Sequence, residues 1–390
     1  MRPGRIRTVR PSSRHTAQVR VSPIRKGALR QEAVEVRTRR PRIADVAREA
    51  GVSKTAVSFA FNSPDRLAPE TATRIREVAE ALGYRPHPVA RMLSQRRTRA
   101  LGILVPQALS VVFSNPFFGA FAEGVALATE DSGYALHFIS PVHGSLARAI
   151  GRATVDGIVG IGLSARHPEV EAIERSGIAM VLVDSSPFGE HPSVDTDDEA
   201  GARAAAAHLI GLGHRDILVL AVEPSVTGTD EDPEDVPGRR LRGYRTVLAD
   251  AGLDLPHRAL VVGPASIDGG RAAVHRAWED DLRPTAILAM SDAMAIGAME
   301  AVRDLHLVVP GDVSVVGFDD VEMARHTDPP LTTVHQPIRR KGEEAARLLL
   351  SLVDGHGGEA PEHRLHATRL IVRASTAPPT GRAAAGRLPD

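Results

Sequence analysis

At 390 residues the chain is longer than one hydrophobic core usually serves, so two or three domains are expected. With 43% hydrophobic, 25% charged and 3% aromatic residues it has an ordinary globular composition, and without cysteine it forms no disulfide, uses no thiol in catalysis and builds no Cys-based zinc site. The net charge of zero hides a division: residues 1 to 99 carry 23 Lys+Arg against 8 Asp+Glu, a balance of +15, and the remainder carries −15.

A basic front end on an acidic body points to a polyanion-binding module joined to a domain with another task. No apolar run reaches the ~18 residues of a membrane span, and the N-terminus lacks the apolar core of a secretory signal, so no membrane partner is expected. Residues 1–39 scatter Arg, Ser and Pro without an apolar period and read as a disordered basic extension. Their composition also fits an organellar transit peptide or a start codon assigned too far upstream. The 45 arginines against 3 lysines, with abundant Ala and Gly, hint at a GC-rich bacterial genome.

From Arg42 the pattern turns helical: Ile43, Val46, Ala47 and Ala50 share one face and Gly51 ends the run. In the following VSKTAVSFAFN, Ser53 suits an N-cap, Val57, Ala60 and Phe61 form an inward stripe, and Lys54, Thr55, Ser58 and Phe59 are left outward. A third helix is expected from near Pro69 to Gly83, with Ile75, Val78, Ala79 and Leu82 on its apolar face. Two short helices about a Gly turn with a supporting third make a helix-turn-helix, spanning residues 40–85, whose second helix can enter a DNA major groove. Such triads also serve as plain protein-binding modules, but the positive balance and polar outward face favour DNA.

Residues 86–99 read as a hinge helix and linker. Within PHPVARMLSQ, Pro88 fits a first turn and His87 is a poor cap, so this helix is too short to stand alone in water. Beyond it, apolar runs alternate with helical patterns: ALGILVP (100–106), YALHFIS (134–140), VDGIVGIGL (155–163), IAMVLVD (178–184), DILVLAV (216–222), TAILAM (285–290) and VSVVGFD (313–319). Continuous apolar strands separated by helices imply parallel sheets covered on both faces, and the length suits two α/β subdomains. Ligands of such sheets bind at the carboxyl ends of the strands. Residues 377–390 have no apolar period and read as a disordered tail.

The blocks IADVAREAGVSKTAVSFAFN, GYRPHPVARML, LGHRDI, RPTAI, SDAMAIGAM, VPGDVSVVGFDD and PPLTTVHQP follow in this order over residues 42 to about 376. Together they resemble the lactose repressor family of bacterial transcription regulators. The resemblance implies an all-α helix-turn-helix headpiece, a hinge helix, and an α/β domain of periplasmic-binding-protein type over residues 100–376, built of two parallel-sheet subdomains, that binds an effector and dimerises. It further implies a homodimeric regulator, a repressor, acting in the bacterial cytoplasm and nucleoid on a palindromic double-stranded operator and controlled by a sugar-like or nucleobase-like metabolite.

By the same resemblance, Lys54, Thr55 and Phe59 sit where family members read base edges, and Ser53 and Ser58 where phosphate contacts fall. Phe59 stands in place of an arginine used there by the best-known members; it either meets a thymine methyl or packs beside Phe61. Ala68 replaces a serine cap before the third helix, a loss of about 1 kcal/mol that Pro69 partly offsets. In the hinge, Leu93 matches a residue that wedges into the minor groove, Ala90 permits close helix approach, and His87 and Arg91 complete the DNA-facing set. The effector set is Phe117, Phe118, Asp184, Arg240, Ser291, Asp292 and Asp319: aromatic faces to stack on a ring, carboxylates to accept from hydroxyl or N–H groups, and a guanidinium fork to donate.

Four rival readings are weaker. GIGLSA gives a G-x-G-x-x-A pattern with Asp184 about twenty residues on, as in a nucleotide-dependent oxidoreductase, but Pro168 stands where the fingerprint's helix should be running. His363 and His366 lie near acids in HGGEAPEHRLH, where a surface loop is expected rather than a metal site. The acidic stretch 230–235 lacks EF-hand spacing and reads as a solvated flap over the cleft. A small-molecule-binding protein without DNA function would lack the helix-turn-helix. No catalytic constellation, cofactor or metal is expected.

Overall fold

The computed structural model describes residues 41–85, 97–223, 233–356 and 360–380, in two compact units that part between His87 and Pro88. The expectations for the extension 1–39 and for His87, Ala90, Arg91 and Leu93 lie outside the described residues.

The first unit holds α1 (Ile43–Glu49), α2 (Lys54–Asn62) and α3 (Pro69–Ala81). Gly51, at φ +64, makes the turn between α1 and α2, a conformation that an L side chain resists. Val46, Val57, Ala60 and Ile75 are fully buried and form the core expected from their spacing. The Arg76 guanidinium donates to the Ala60 carbonyl at 3.1 Å, tying α3 to the end of α2. Ala68 supplies no capping side chain, and Pro69 occupies the first helical position. Leu82, expected on the inward face, is the C-cap residue and is exposed, because the helix ends one residue before it.

In the second unit the chain runs through β1 (Ala100–Leu104), α4 (Leu109–Val112), α5 (Pro116–Thr129), β2 (Ala135–Ile139), α6 (Leu146–Arg152), β3 (Gly157–Ile161), α7 (Val170–Glu174), β4 (Ala179–Val183) and β5 (Ser193–Thr196). It continues through α8 (Asp198–Gly211), β6 (Ile217–Val222), α9 (Val236–Asp250), β7 (Leu260–Gly263), α10 (Ile267–Glu279), β8 (Ala286–Ala289), α11 (Asp292–Asp304), β9 (Ser314–Asp319) and β10 (Thr332–His335). Last come α12 (Ile338–Val353), β11 (His363–His366) and β12 (Arg369–Ile371).

Two sheets result, in the orders β11-β5-β4-β3-β1-β2 and β12-β10-β9-β8-β6-β7. All pairings are parallel except β10 with β12. The chain passes between the sheets at Asp197, at Gln336–Pro337 and at Ala367–Thr368. Strands β1, β3, β8 and β9 are buried along their whole length, as the unbroken apolar runs require.

Each of the seven apolar runs contains a strand. Five further strands, β5, β7, β10, β11 and β12, have three or four residues and too little pattern of their own; their neighbours supply the pairing. Helix α12 packs along α5, where a Cβ on Gly124 would overlap the Arg339 carbonyl and one on Gly342 the Phe121 carbonyl.

Two further sequence expectations change and one holds. His363 and His366 lie on β11, paired with β5, rather than in a loop. The Ala377 amide donates to Ser314 Oγ at 3.0 Å and Thr380 donates to the Gly311 carbonyl at 2.7 Å, so the chain remains anchored past residue 376. As Pro168 implied, no helix opens after GIGLSA until Val170; the loop is pinned by Ser185 and Ser186 hydroxyls accepting from the Leu163 and Ala165 amides, so the dinucleotide fingerprint lacks its context.

Candidate functional site

On the first unit, Ser53 opens α2 by accepting from the Ala56 amide at 3.0 Å, which leaves its hydroxyl proton as a donor. Ser53, Lys54 and Thr55 are exposed in a row at the N-terminus of this helix, where backbone N–H groups and the helix dipole also favour an anion. Ser58 is half-buried and accepts from the Asn62 side chain at 3.2 Å. Phe59 is half-buried with the Arg66 guanidinium 4.8 Å from its ring centroid, while Phe61 meets Tyr84 edge-on at 6.0 Å. One face of α2 therefore combines two polar tips, a cation and an aromatic ring capped by an arginine.

In the second unit the carboxyl ends of the strands border a cleft that is partly open to solvent, the place where ligands of such sheets bind. Ile161 at the end of β3 and Gly162 just after it, Asp184 after β4, Val222 at the end of β6, Met290 and Ser291 after β8, and Asp319 closing β9 all line it. Of the seven residues expected to touch an effector, Phe117, Phe118, Asp184, Arg240, Ser291 and Asp319 line this pocket. Asp292 does not. It is fully buried behind the wall, accepting from the Val321 amide at 2.9 Å and from the Thr333 hydroxyl, and so holds the exit of β9 in place.

The aromatic wall is set by α5. Asn115 caps the helix through the Phe117 amide at 3.0 Å, and the Phe117 and Phe118 rings stand edge to face at 5.3 Å. Opposite, Arg240 lies in α9 with its guanidinium 3.5 Å from the Phe318 ring centroid. Its Nε donates to Asp198 at 2.8 Å, one amino group donates to the Met290 carbonyl, and the other is 3.9 Å from Asp319. Asp198 also binds Arg239 at 2.8 Å. Burial pushes the Asp198 carboxyl up, but the charges of Arg240 and Arg239 prevail and hold it below the usual carboxylate range.

Asp184 has φ +47 and Asp319 φ +125, unusual for residues with a Cβ, and both residues line the cleft from strand ends. Burial raises the Asp319 pKa to about 6, against the pull of the Arg240 charge and of the Gln336 amide, which donates to it at 2.6 Å. Asp292 is raised well above the usual range by burial and by the Asp319 charge.

Sequence reading missed Asp198, Gln336, Lys341 and Gln107. Gln336 sits at a crossing between the sheets; Lys341, fully buried in the first turn of α12, binds Asp184, Thr196 and Gln336. A signal existed for Lys341: it shares the inward face of α12 with Ile338, Ala345 and Leu349, where an apolar residue is the rule. Asp198 carries none, since its partners are forty residues away.

Comparison with known proteins places these features. Residues 42–87 match the model of bacterial regulatory proteins of the lacI family, and residues 206–376 match that of the periplasmic binding protein-like domain. The HTH-type transcriptional regulator CelR of Thermobifida fusca is 32% identical over 351 residues, covering 87% of this chain and 99% of that protein. A solved complex of the transcriptional regulator CelR with cellobiose superposes with a TM-score of 0.62 at 30% identity, over 86% of this chain and 100% of the other. The lac repressor dimer bound to operator and the anti-inducer ONPF gives a TM-score of 0.71 at 25% identity, over 87% of this chain and 100% of the other.

Proposed function

The chain belongs to the lacI family of bacterial regulatory proteins, and from that membership we infer that it is a sequence-specific DNA-binding transcriptional regulator, a repressor, controlled by a small metabolite in the cleft of its second unit. The single observation that carries the cleft assignment is the convergence of Phe117, Phe118, Asp184, Arg240, Ser291 and Asp319 on one pocket at the strand ends. A second observation supports the DNA assignment: the exposed Ser53-Lys54-Thr55 edge at the start of α2.

In this reading the protein works as a homodimer on a palindromic operator in the bacterial nucleoid, each α2 lying in a major groove. Lys54, Thr55 and Phe59 read base edges, and Ser53 and Ser58 hold phosphates. The hinge residues His87, Ala90, Arg91 and Leu93 contact DNA, with Leu93 as a minor-groove wedge. The effector changes the relation of the two sheets about the crossings at Asp197, Gln336–Pro337 and Ala367–Thr368, and operator affinity follows. No catalytic step is assigned to the protein.

The test is direct. Duplexes enriched from a random pool by the purified protein should be palindromic and bound at least about a thousandfold more tightly than random DNA, with affinity falling steeply as salt rises. Equal affinity for enriched and random duplexes would sink the regulator reading.

A further inference from the structure

Arginine supplies nearly all the positive charge of this chain, and only three lysines occur, Lys26, Lys54 and Lys341. The third is wholly buried, in the apolar face of α12 beside Ile338, Gly342 and Ala345. Packing alone asks for an uncharged residue there, since a buried ammonium is costly unless paired and hydrogen-bonded. An ammonium has three N–H groups, and here all three are engaged: by Asp184 Oδ2, by Thr196 Oγ1 at 2.8 Å and by Gln336 Oε1. The Phe117 ring centroid lies 5.4 Å from Nζ. The planar fork of an arginine does not match this three-acceptor cage.

The network continues on both sides. Asp184 keeps its other oxygen, Oδ1, buried and without a hydrogen-bond partner, and Asp184 lines the cleft. Gln336, fixed through its oxygen, turns its amide to Asp319 Oδ1 at 2.6 Å. One carboxylate from each sheet is thereby set from a single buried charge. Around them the cleft holds further acceptors: Glu223 also lines it, Gln107 Oε1 is buried without a partner, and Arg240 already donates to Asp198 and Met290.

We propose, resting on the effector-cleft reading above, that Lys341 is the positioning residue of the cleft: through Asp184 directly and Asp319 by way of Gln336, it presents one acceptor from each sheet and so selects a neutral, hydroxyl-rich ligand over an anionic one. Hydroxyl groups donate to the bare oxygens while the apolar face of the ring lies on Phe117 and Phe118. A phosphate or carboxylate meets the like charge of Asp184 and Asp319, with Arg240 already paired with Asp198 and its remaining amino group 3.9 Å from Asp319.

The experiment uses the full-length protein with cellobiose, ribose and maltose against glucose 6-phosphate and ribose 5-phosphate, first by thermal shift and then by calorimetry. At least one neutral sugar should stabilise the wild type and neither phosphate ester should. Lys341→Met, which keeps the bulk, should weaken that sugar by about tenfold or more, the value of hydrogen bonds to a charged group. The double variant Lys341→Met/Asp184→Asn should regain the stability lost by the single one, because no unpaired carboxylate remains buried, without regaining affinity.

Wild-type affinity in Lys341→Met, recovery of affinity together with stability in the double variant, a response to a phosphate ester, or silence from every neutral sugar would each overturn the proposal. Operator binding by the same samples separates the two readings: intact operator binding with any of these outcomes removes the role of Lys341 alone, whereas a wild type without operator preference removes the regulator reading.

Discussion

The two units carry their functional charge in opposite ways. On the first, Ser53, Lys54 and Thr55 stand exposed at the start of α2. In the second, Asp184, Asp198, Arg240, Asp319 and Lys341 are buried, and ion pairs or hydrogen bonds join them across both sheets. Exposed charge is cheap to fold, remains free for phosphates and is screened by salt. Buried charge must be partnered by the protein first, so the selectivity of the cleft is set by whichever donors and acceptors are left over.

The sharpest way to break this contrast is to remove Asp198. Asp198→Ala strands Arg239 and Arg240 in a buried site and should lower the stability of the second unit by about 3–5 kcal/mol. Urea unfolding followed by circular dichroism measures it. Lys54→Ala, the surface counterpart, should move stability by less than about 0.5 kcal/mol while weakening the enriched operator by about 1–3 kcal/mol and relaxing selection at the base pair it reads. A large stability loss in Lys54→Ala, or none in Asp198→Ala, would erase the distinction.

Next in size is the titration of Asp319. Its folded pKa, about 6, lies above that of an unfolded aspartate, near 4, so the folded chain holds the extra proton between these values. The stability contributed by that proton is full below about pH 4 and is lost as pH rises to about 6 and beyond. Asp319→Asn should remove this loss, making the variant less sensitive to pH by about 2–3 kcal/mol between pH 4 and 7.5 in parallel denaturations. Identical pH profiles for variant and wild type would show that the carboxylate is not buried as described.

Two smaller effects belong to the first unit. Phe59→Ala should weaken the enriched operator by about 1–3 kcal/mol and relax selection at one base pair if the ring meets a thymine methyl, whereas a packing role would lower stability without changing the preferred sequence. Ser53→Ala removes the cap on α2 and should cost about 1 kcal/mol in thermal unfolding of the first unit.

The same contrast explains what could be read from the sequence. In the first unit the information is local: Gly51, Ser53 and Pro69 mark the helix ends, and Val57 and Ala60 mark the inward face, all within forty residues. The strand runs VDGIVGIGL and VSVVGFD were equally plain, because burial on both faces leaves unbroken apolar stretches.

The cleft was legible where a side chain ends a strand, as with Asp184 and Asp319, and illegible where its meaning depends on a distant partner. Asp292 shows the limit: it follows a strand as a cleft residue would, yet Thr333, forty-one positions away, and the Val321 amide draw it behind the wall. Asp198 and Gln336 escaped for the same reason, since the partners of Asp198 lie forty residues on in α9 and the Gln336 amide meets Asp319 only where the chain crosses between sheets, whereas Lys341 is marked by its place on an apolar helix face.

As a metabolite-controlled regulator, the chain must couple its DNA-reading face to its cleft. Measuring the affinity of the wild type for the most stabilising neutral sugar, with and without saturating enriched operator at fixed salt, tests it most directly. Operator should change sugar affinity by about fivefold or more, and sugar should change operator affinity by the same factor and in the same direction. Sugar affinity unaffected by operator would contradict it.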